Sequence, residues 1–141
     1  MDIEKIEKLT QDSQSLKLLY VEDNQQARES TLSALDIFFQ DITIAVDGED
    51  GLNAFRKGNF DIIITDINMP KMNGIDMVYK IREVDEDVTI IVLSAYDDKM
   101  YCDEITRAGI SGYILKPIDL NKFIDIMVEA VDRILQKKKK A

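Results

Sequence analysis

Short apolar runs alternate with amphipathic stretches along this chain, and the alternation repeats five times. Each apolar run is rich in isoleucine, leucine or valine, which predicts a buried strand. The stretches that follow have apolar residues three and four positions apart, which predicts helices packed on a sheet. The predicted strands are residues 17–21, 42–46, 61–65, 89–93 and 112–115, and the predicted helices are residues 25–39, 48–57, 74–83, 98–108 and 120–136.

Strands that alternate with helices are typical of an α/β fold, in which helices cover both faces of a parallel sheet. Residues 16–136 contain all five repeats and form one predicted domain, which suits a chain of 141 residues. Before this domain, Ile3, Ile6 and Leu9 have helical spacing, so residues 1–15 are predicted to be an extension or a short extra helix. After it, residues 137–141 are predicted to be a basic tail or a linker.

Polar side chains follow four of the five predicted strands. They are Glu22 and Asp23, then Asp66, Ser94 and Lys116. Because the carboxyl ends of parallel strands meet at one edge of a sheet, these side chains could converge there. Carboxylates gathered at that edge would hold a small hard cation such as Mg²⁺. Asp66 then becomes a candidate nucleophile towards phosphorus, while Lys116 and Ser94 are suited to hold phosphoryl oxygens.

Composition narrows the function further. The apolar fraction of 45% and the charged fraction of 32% are those of a soluble globular protein, and no apolar run is long enough to span a membrane. Residues 1–15 lack the pattern of a secretory signal, so we expect a cytoplasmic protein. A net charge of −9 argues against direct binding to nucleic acid. The single cysteine, Cys102, excludes an internal disulfide.

Four stretches of the sequence resemble the receiver domain of two-component response regulators. They are LLYVEDN from Leu18, FDIIITDINMPKMNG from Phe60, IIVLSAY from Ile90 and GYILKP from Gly112, in that family's order and at its spacing. The resemblance implies a flavodoxin-like (βα)5 fold, which is a three-layer sandwich around a five-stranded parallel sheet in the order 2-1-3-4-5.

The resemblance also implies a role for most of the polar residues at the sheet edge. Asp66 matches the aspartate that accepts a phosphoryl group, and Lys116 matches the lysine that contacts that group. Glu22 and Asp23 match the acidic pair that binds Mg²⁺. In the family, the acceptor aspartate and the main-chain carbonyl at the position of Asn68 complete the metal site.

Further positions match residues that act after phosphorylation. Ser94 and Tyr113 match a switch pair that changes the face formed by the fourth helix, fifth strand and fifth helix of the repeats. Asn68 and Tyr96 match positions that control the lifetime of the phosphoaspartate. Pro117 follows the matched lysine, and family members usually have that peptide bond in the cis form.

The implied partners are other signalling proteins. The chain has no histidine, so a phosphoryl group would come from a sensor histidine kinase or a histidine phosphotransfer protein. The receiver would then control an output domain or a separate target protein, and many phosphorylated relatives form homodimers. Receivers that drive winged-helix DNA-binding domains usually carry an acidic pair before the switch tyrosine. This chain has Ser111 and Gly112 there, which weakens the case for that mode of dimerisation.

Three alternatives fit part of the pattern. One is a receiver-like interaction module that works without phosphorylation. A second is a phosphohydrolase of the haloacid dehalogenase type, but its nucleophile on the first strand is followed two residues later by a second Asp, and Gln25 stands two residues after Asp23. A third is a flavodoxin-type flavin protein, whose phosphate loop is rich in Ser, Thr and Gly, whereas residues 22–26 are acidic and amide-bearing.

Overall fold

The computed structural model describes residues 2–95 and 102–140, and its centre is a five-stranded parallel sheet. The strands are β1 (Lys17–Val21), β2 (Asp41–Ala45), β3 (Ile62–Asp66), β4 (Thr89–Ser94) and β5 (Gly112–Leu115). They stand in the order β2-β1-β3-β4-β5, which confirms the predicted fold class and strand order. The observed strand ends lie within one residue of the predicted ones.

Helices pack on both faces of this sheet. They are α1 (Ile3–Ser13), α2 (Gln25–Phe38), α3 (Gly48–Lys57), α4 (Gly74–Val84), α5 (Cys102–Ala108) and α6 (Leu120–Lys140). One apolar layer joins the sheet to α1, α2 and α6, and the other joins it to α3, α4 and α5. Side chains of β1 alternate between the two layers: Leu18 and Tyr20 enter the first, and Leu19 and Val21 enter the second.

Side-chain caps explain why three helices begin immediately after a strand or loop. Asn24 accepts a hydrogen bond from the amide of Ala27 at 2.9 Å and so starts α2. Asp47 does the same for α3, through the amide of Asp50 at 2.7 Å. Asn73 starts α4 in the same way. Each cap fixes the residue at which a helix begins after the loop that follows β1, β2 or β3.

The two ends of the chain are helical and contact the domain. Helix α1 packs against α6 and α2, and its Leu9 is buried. Helix α6 continues four residues beyond the predicted end at residue 136 and reaches Lys140. Lys138 forms an ion pair of 3.0 Å with Asp61, and Lys137 donates to the main-chain carbonyl of Asp87. These contacts hold the end of α6 against the edge of the sheet opposite the acidic residues.

Among residues 2–95 and 102–140, no helix combines the length and the apolar character needed to cross a bilayer. The predicted helix at residues 98–108 is observed from Cys102 to Ala108, and residues 98–101 lie outside the described part of the chain.

Candidate functional site

Three carboxylates meet at the carboxyl edge of the sheet. Glu22 and Asp23 follow β1, and Asp66 is the last residue of β3. The register places Val21 opposite Thr65, so the residues that come next in the two neighbouring strands stand side by side. Carboxylate oxygens of all three residues lie within 4.8 Å of one another. The predicted convergence of these acids is therefore observed.

The three acids differ in exposure. Glu22 is fully buried, Asp66 is partly buried, and Asp23 is exposed. Hard oxygen ligands of this kind, with one side open to water, suit a cation such as Mg²⁺, which keeps several of its waters when it binds to proteins. The residues present thus fit a magnesium site.

A close approach of the β3–α4 connection fixes Asp66. Its Oδ1 atom accepts a hydrogen bond of 2.8 Å from the amide of Ile67. The amide of Gly74 donates to the carbonyl of Ile67 at 2.7 Å, which folds the connection back over the end of β3. A Cβ atom at Gly74 would lie 2.1 Å from the carbonyl oxygen of Asp66. Only glycine fits there without a shift of the backbone, so this residue sets the position of the acceptor candidate.

Lys116 reaches the acids from the end of β5. Its Nζ atom lies 2.8 Å from Oε1 of Glu22 and 3.3 Å from Oδ2 of Asp66. Its amide donates to the carbonyl of Ser94 at 2.7 Å, which continues the pairing of β5 with β4. The peptide bond between Lys116 and Pro117 is cis, as the family resemblance implied. Lys116 thus lies between two of the three carboxylates.

Burial and charge shift the pKa values of this group. Burial raises the pKa of Glu22 to about 7, Lys116 opposes that rise, and Asp66 adds to it. Burial lowers the pKa of Lys116, but the contacts with Glu22 and the charge of Asp66 outweigh it and raise that pKa above its ordinary value. The lysine is therefore charged at neutral pH, and it offsets part of the repulsion among the acids.

The switch candidates also meet. Ser94 ends β4 and is fully buried, and Tyr113 lies on the neighbouring strand β5. The hydroxyl of Tyr113 donates to Oγ of Ser94, and Oγ of Ser94 donates to the carbonyl of Ala95 at 3.0 Å. Both hydroxyls are thus engaged with each other and with the loop after β4 in this state of the protein.

The predicted roles of two further residues, Asn68 and Tyr96, stay untested by the structure. Asn68 is exposed on the β3–α4 connection, two residues after Asp66, and its role as a carbonyl ligand stays a prediction. Tyr96 lies outside the described residues, so its role also stays a prediction.

Sequence reasoning missed two features of the site. It assigned Lys116 to Asp66, but the shorter contact is with Glu22. It also gave no role to Arg28, whose Nη1 atom donates to the carbonyl of Glu22 at 2.9 Å and braces the turn after β1. A long basic side chain one helical turn after the cap of α2 was the available signal, although charge on an exposed helix face is common and points to no single partner.

Ser111 and Gly112 have structural roles at the start of β5. The hydroxyl of Ser111 accepts a hydrogen bond from the amide of Ile90. A Cβ atom at Gly112 would lie 2.8 Å from the side chain of Ile91. The start of β5 is therefore packed against β4.

Comparison with known proteins identifies the family. The model of the response regulator receiver domain matches residues 18–128. The chain belongs to the receiver domain family of response regulators. Receiver domains are signalling domains, so the haloacid dehalogenase and flavodoxin alternatives have no support from the comparison.

Individual proteins similar to this chain are also response regulators or resemble their receiver domains. It is 33% identical to the transcriptional regulatory protein DegU of Brevibacillus brevis, over 86% of this chain and 50% of that protein. It is 29% identical to the chemotaxis protein CheY of Pseudomonas aeruginosa, over 86% of this chain and 98% of that protein. Its structure matches the N-terminal domain of an uncharacterized protein from Wolinella succinogenes with a TM-score of 0.79 and 32% identity, over 87% of this chain and 99% of that one.

The relatives differ in length. The chain spans about half the length of some of the curated relatives that it matches, such as the DegU protein, and nearly all of the chemotaxis protein. The shared part is the receiver domain, and activities of the longer proteins outside it do not transfer to this chain.

Proposed function

We propose that this receiver domain is a phosphoacceptor switch. An oxygen of Asp66 attacks the phosphorus of a phosphohistidine, the N–P bond breaks, and the histidine of the donor leaves with the electron pair. The donor is a sensor histidine kinase or a histidine phosphotransfer protein. The observation that carries the proposal is the Nζ atom of Lys116, which lies 2.8 Å from Glu22 and 3.3 Å from Asp66 at the edge of the sheet.

Each residue of the site has a task in this proposal. Lys116 pairs with a carboxylate before transfer and with a phosphoryl oxygen afterwards, so its charge offsets the charge that develops on the transferred group. Glu22, Asp23, Asp66 and the carbonyl of Asn68 would hold Mg²⁺. When bound, this ion supplies positive charge that lets a phosphoryl group approach three carboxylates. The domain modifies itself once per signal and is not a turnover enzyme.

The response passes through Ser94 and Tyr113. The hydroxyl of Ser94 leaves Tyr113 for a phosphoryl oxygen, the loop after β4 moves with it, and the ring of Tyr113 takes the space that is vacated. The face formed by α5, β5 and α6 then changes and controls an output domain or a target protein in the cytoplasm, through a homodimer or a heterologous contact. With a net charge of −9, the domain acts on nucleic acid only through such a partner.

Phosphorylation of Asp66 is tested by intact mass after incubation with phosphoramidate or acetyl phosphate and Mg²⁺. We expect one added phosphoryl group in the wild-type chain and none in Asp66→Asn. We also expect none when EDTA replaces Mg²⁺. The matched control is Asp76→Asn, because Asp76 is an exposed acid in the first turn of α4. A mass gain in Asp66→Asn would contradict the assignment. No gain in any sample would mean either that the chain accepts phosphate only from its protein donor or that it is a module that works without phosphorylation.

The lifetime of the phosphoaspartate is a separate part of the proposal. Tyr96 cannot orient water as a carboxylate would, so Tyr96→Glu should lose the phosphoryl group faster than the wild-type chain. The decay of the phosphorylated mass after removal of the donor measures both rates. Equal or slower decay in the variant would remove Tyr96 from the site, and Asn68→Ala tests the second lifetime position in the same assay.

A further inference from the structure

Helix α1 lies outside the five strand–helix repeats and covers one flank of α6. Lys5 forms an ion pair of 2.7 Å with Asp125, and Lys8 lies 3.4 Å from Asp132 as well as 2.7 Å from Asp12 of α1 itself. Leu9, one turn after Lys5, is 1% exposed and joins the apolar layer beneath α6. The contact therefore combines an apolar centre with lysines that face acids.

The covered flank of α6 has its own pattern. Asp125, Val128 and Asp132 are three and four residues apart, so they lie on one face of the helix. Val128 is partly buried against the same apolar layer that Leu9 enters. Two acids on either side of an apolar residue make this flank complementary to a short amphipathic helix that carries lysines one turn apart.

Three features weaken the docked state of α1 and oppose the burial of Leu9, which stabilises it. The helix has only 11 residues, which is too short to be stable alone. Its ion pairs with α6 are exposed to water, where such pairs contribute little. The hydroxyl of Ser13 is buried and has no hydrogen-bond partner within the described part of the chain, which penalises docking.

The connection to the domain allows α1 to detach without unfolding the sheet. Only Gln14 and Ser15 separate the end of α1 from Leu16, which is fully buried and directly precedes β1. Movement at these two exposed residues would release α1 and leave β1 in place.

We propose that the flank of α6 at Asp125, Val128 and Asp132 is a binding site for an amphipathic helix of a partner protein that presents lysines to the two acids, and that α1 is its resident occupant. Helix α1 thus acts as a lid that competes with the partner. The partner helix should carry lysines where α1 does, because Asp125 and Asp132 face Lys5 and Lys8 in the docked state. This inference does not depend on phosphorylation of Asp66.

The first test opens the lid in the full chain. The double variant Lys5→Glu/Lys8→Glu should raise amide hydrogen exchange in residues 6–13 by about tenfold or more. Adding Asp125→Lys/Asp132→Lys should restore most of the slow exchange, because opposite charges again face each other between the two helices, while the pair of Lys8 with Asp12 inside α1 stays lost. Lys57→Glu/Lys80→Glu changes net charge equally on the other face of the sheet and should leave α1 protected. Unchanged exchange in the first variant, or no restoration, would overturn the lid.

Ser13→Ala should have the opposite effect and hold α1 more firmly against the domain. Removal of the buried hydroxyl should slow exchange in residues 6–13 by about threefold or more, without a change in the exchange of β1. Faster exchange in this variant would show that the hydroxyl holds α1 closed, contrary to the proposal.

The second test supplies the occupant in trans. A synthetic peptide of residues 2–15 is titrated against the isotopically labelled full chain, and amide shifts at Asn121, Asp125 and Asp132 are followed. The chain opened by Lys5→Glu/Lys8→Glu should bind the peptide about tenfold or more tightly than the wild-type chain, whose flank is occupied.

The control for charge combines a chain and a peptide whose interacting charges are both reversed. The chain with Asp125→Lys/Asp132→Lys should not bind the wild-type peptide but should bind the peptide that carries Lys5→Glu and Lys8→Glu. A Leu9→Asp peptide should bind to neither chain. If the opened chain binds no peptide at millimolar concentration, or binds no better than the wild-type chain, the flank is not a helix-binding site.

Discussion

At the scale of single residues, Glu22 shows what sequence can and cannot predict about the site. Its place after β1 predicted a metal ligand at the sheet edge, and that position is observed. Its full burial and its short contact with Lys116 were not predicted, because they depend on how closely β5 approaches β1 across β3 and β4. The pattern of strands in a sequence predicts the sheet edge at which a residue lies. Its neighbours there depend on tertiary packing, which the pattern does not predict.

The burial of Glu22 predicts a pH dependence of stability. The pKa of its carboxyl is raised from 4.5 to about 7 in the folded chain, chiefly by burial. The folded state therefore binds this proton more tightly than the unfolded state does. The contribution to the free energy of unfolding is complete below pH 4.5 and is lost as the pH rises through about 7.

Urea denaturation in EDTA at several pH values between 5 and 8 measures this effect. We expect the stability of the wild-type chain to fall with rising pH more steeply than that of Glu22→Gln. The chain contains no histidine, so few other groups titrate in this range. Parallel pH profiles of the two proteins would show that Glu22 is ionised in the fold at neutral pH.

Tyr20 carries a buried hydroxyl without a hydrogen-bond partner among the described residues. Thr31 lies close enough to influence the pKa of Tyr20, which burial raises, but not in hydrogen-bond geometry. Tyr20→Phe should therefore raise the free energy of unfolding by about 1 kcal/mol, because the desolvated hydroxyl is removed.

The matched control for Tyr20 is Tyr113→Phe. The hydroxyl of Tyr113 donates to Ser94, so its loss should lower stability by about 1 kcal/mol. Urea denaturation of both variants gives the comparison. A loss of stability in Tyr20→Phe of the same size as in Tyr113→Phe would mean that the Tyr20 hydroxyl is hydrogen-bonded in solution.

At the scale of helices and strands, periodicity predicted most boundaries closely. Strands β1 and β5 and helix α3 have the predicted bounds, since apolar runs and a side-chain cap specify them locally. The length of α6 was underestimated, because Lys137 and Lys138 contact Asp87 and Asp61 in the loops before β4 and β3. The docking of α1 was left open, because the spacing of Ile3, Ile6 and Leu9 shows an amphipathic helix but not the surface that it contacts.

The β3–α4 connection gives a prediction at this scale. Gly74→Ala should lower the free energy of unfolding by about 1–3 kcal/mol, because the added methyl group collides with the carbonyl of Asp66. The same collision should move Asp66 and reduce the rate of phosphorylation by acetyl phosphate. Urea denaturation and intact mass measure the two effects.

Gly109→Ala separates the two effects of Gly74→Ala. Gly109 has a φ of +88°, so alanine there should cost about 1 kcal/mol of stability, but its surroundings are open and do not include the acids. Phosphorylation of this variant should be unchanged. If Gly109→Ala slowed phosphorylation as much as Gly74→Ala, the loss would reflect general instability instead of a displaced Asp66.

At the scale of the whole molecule, repulsion has two sources that differ in range. The net charge of −9 is spread over the surface, and any salt screens it. Carboxylate oxygens of Glu22, Asp23 and Asp66 lie within 4.8 Å of one another, and Lys116 offsets only part of their charge, so a cation bound among them would relieve the remaining repulsion.

Mg²⁺ should therefore stabilise the chain beyond any effect of ionic strength. At a free concentration ten times its dissociation constant, Mg²⁺ should raise the free energy of unfolding by about 1.4 kcal/mol, since it binds the folded state. NaCl at equal ionic strength should give less, and the excess should disappear in Asp23→Asn, which removes an exposed ligand without disturbing the core. Equal stabilisation by both salts would mean that surface screening, and not the acidic cluster, is the origin of the effect.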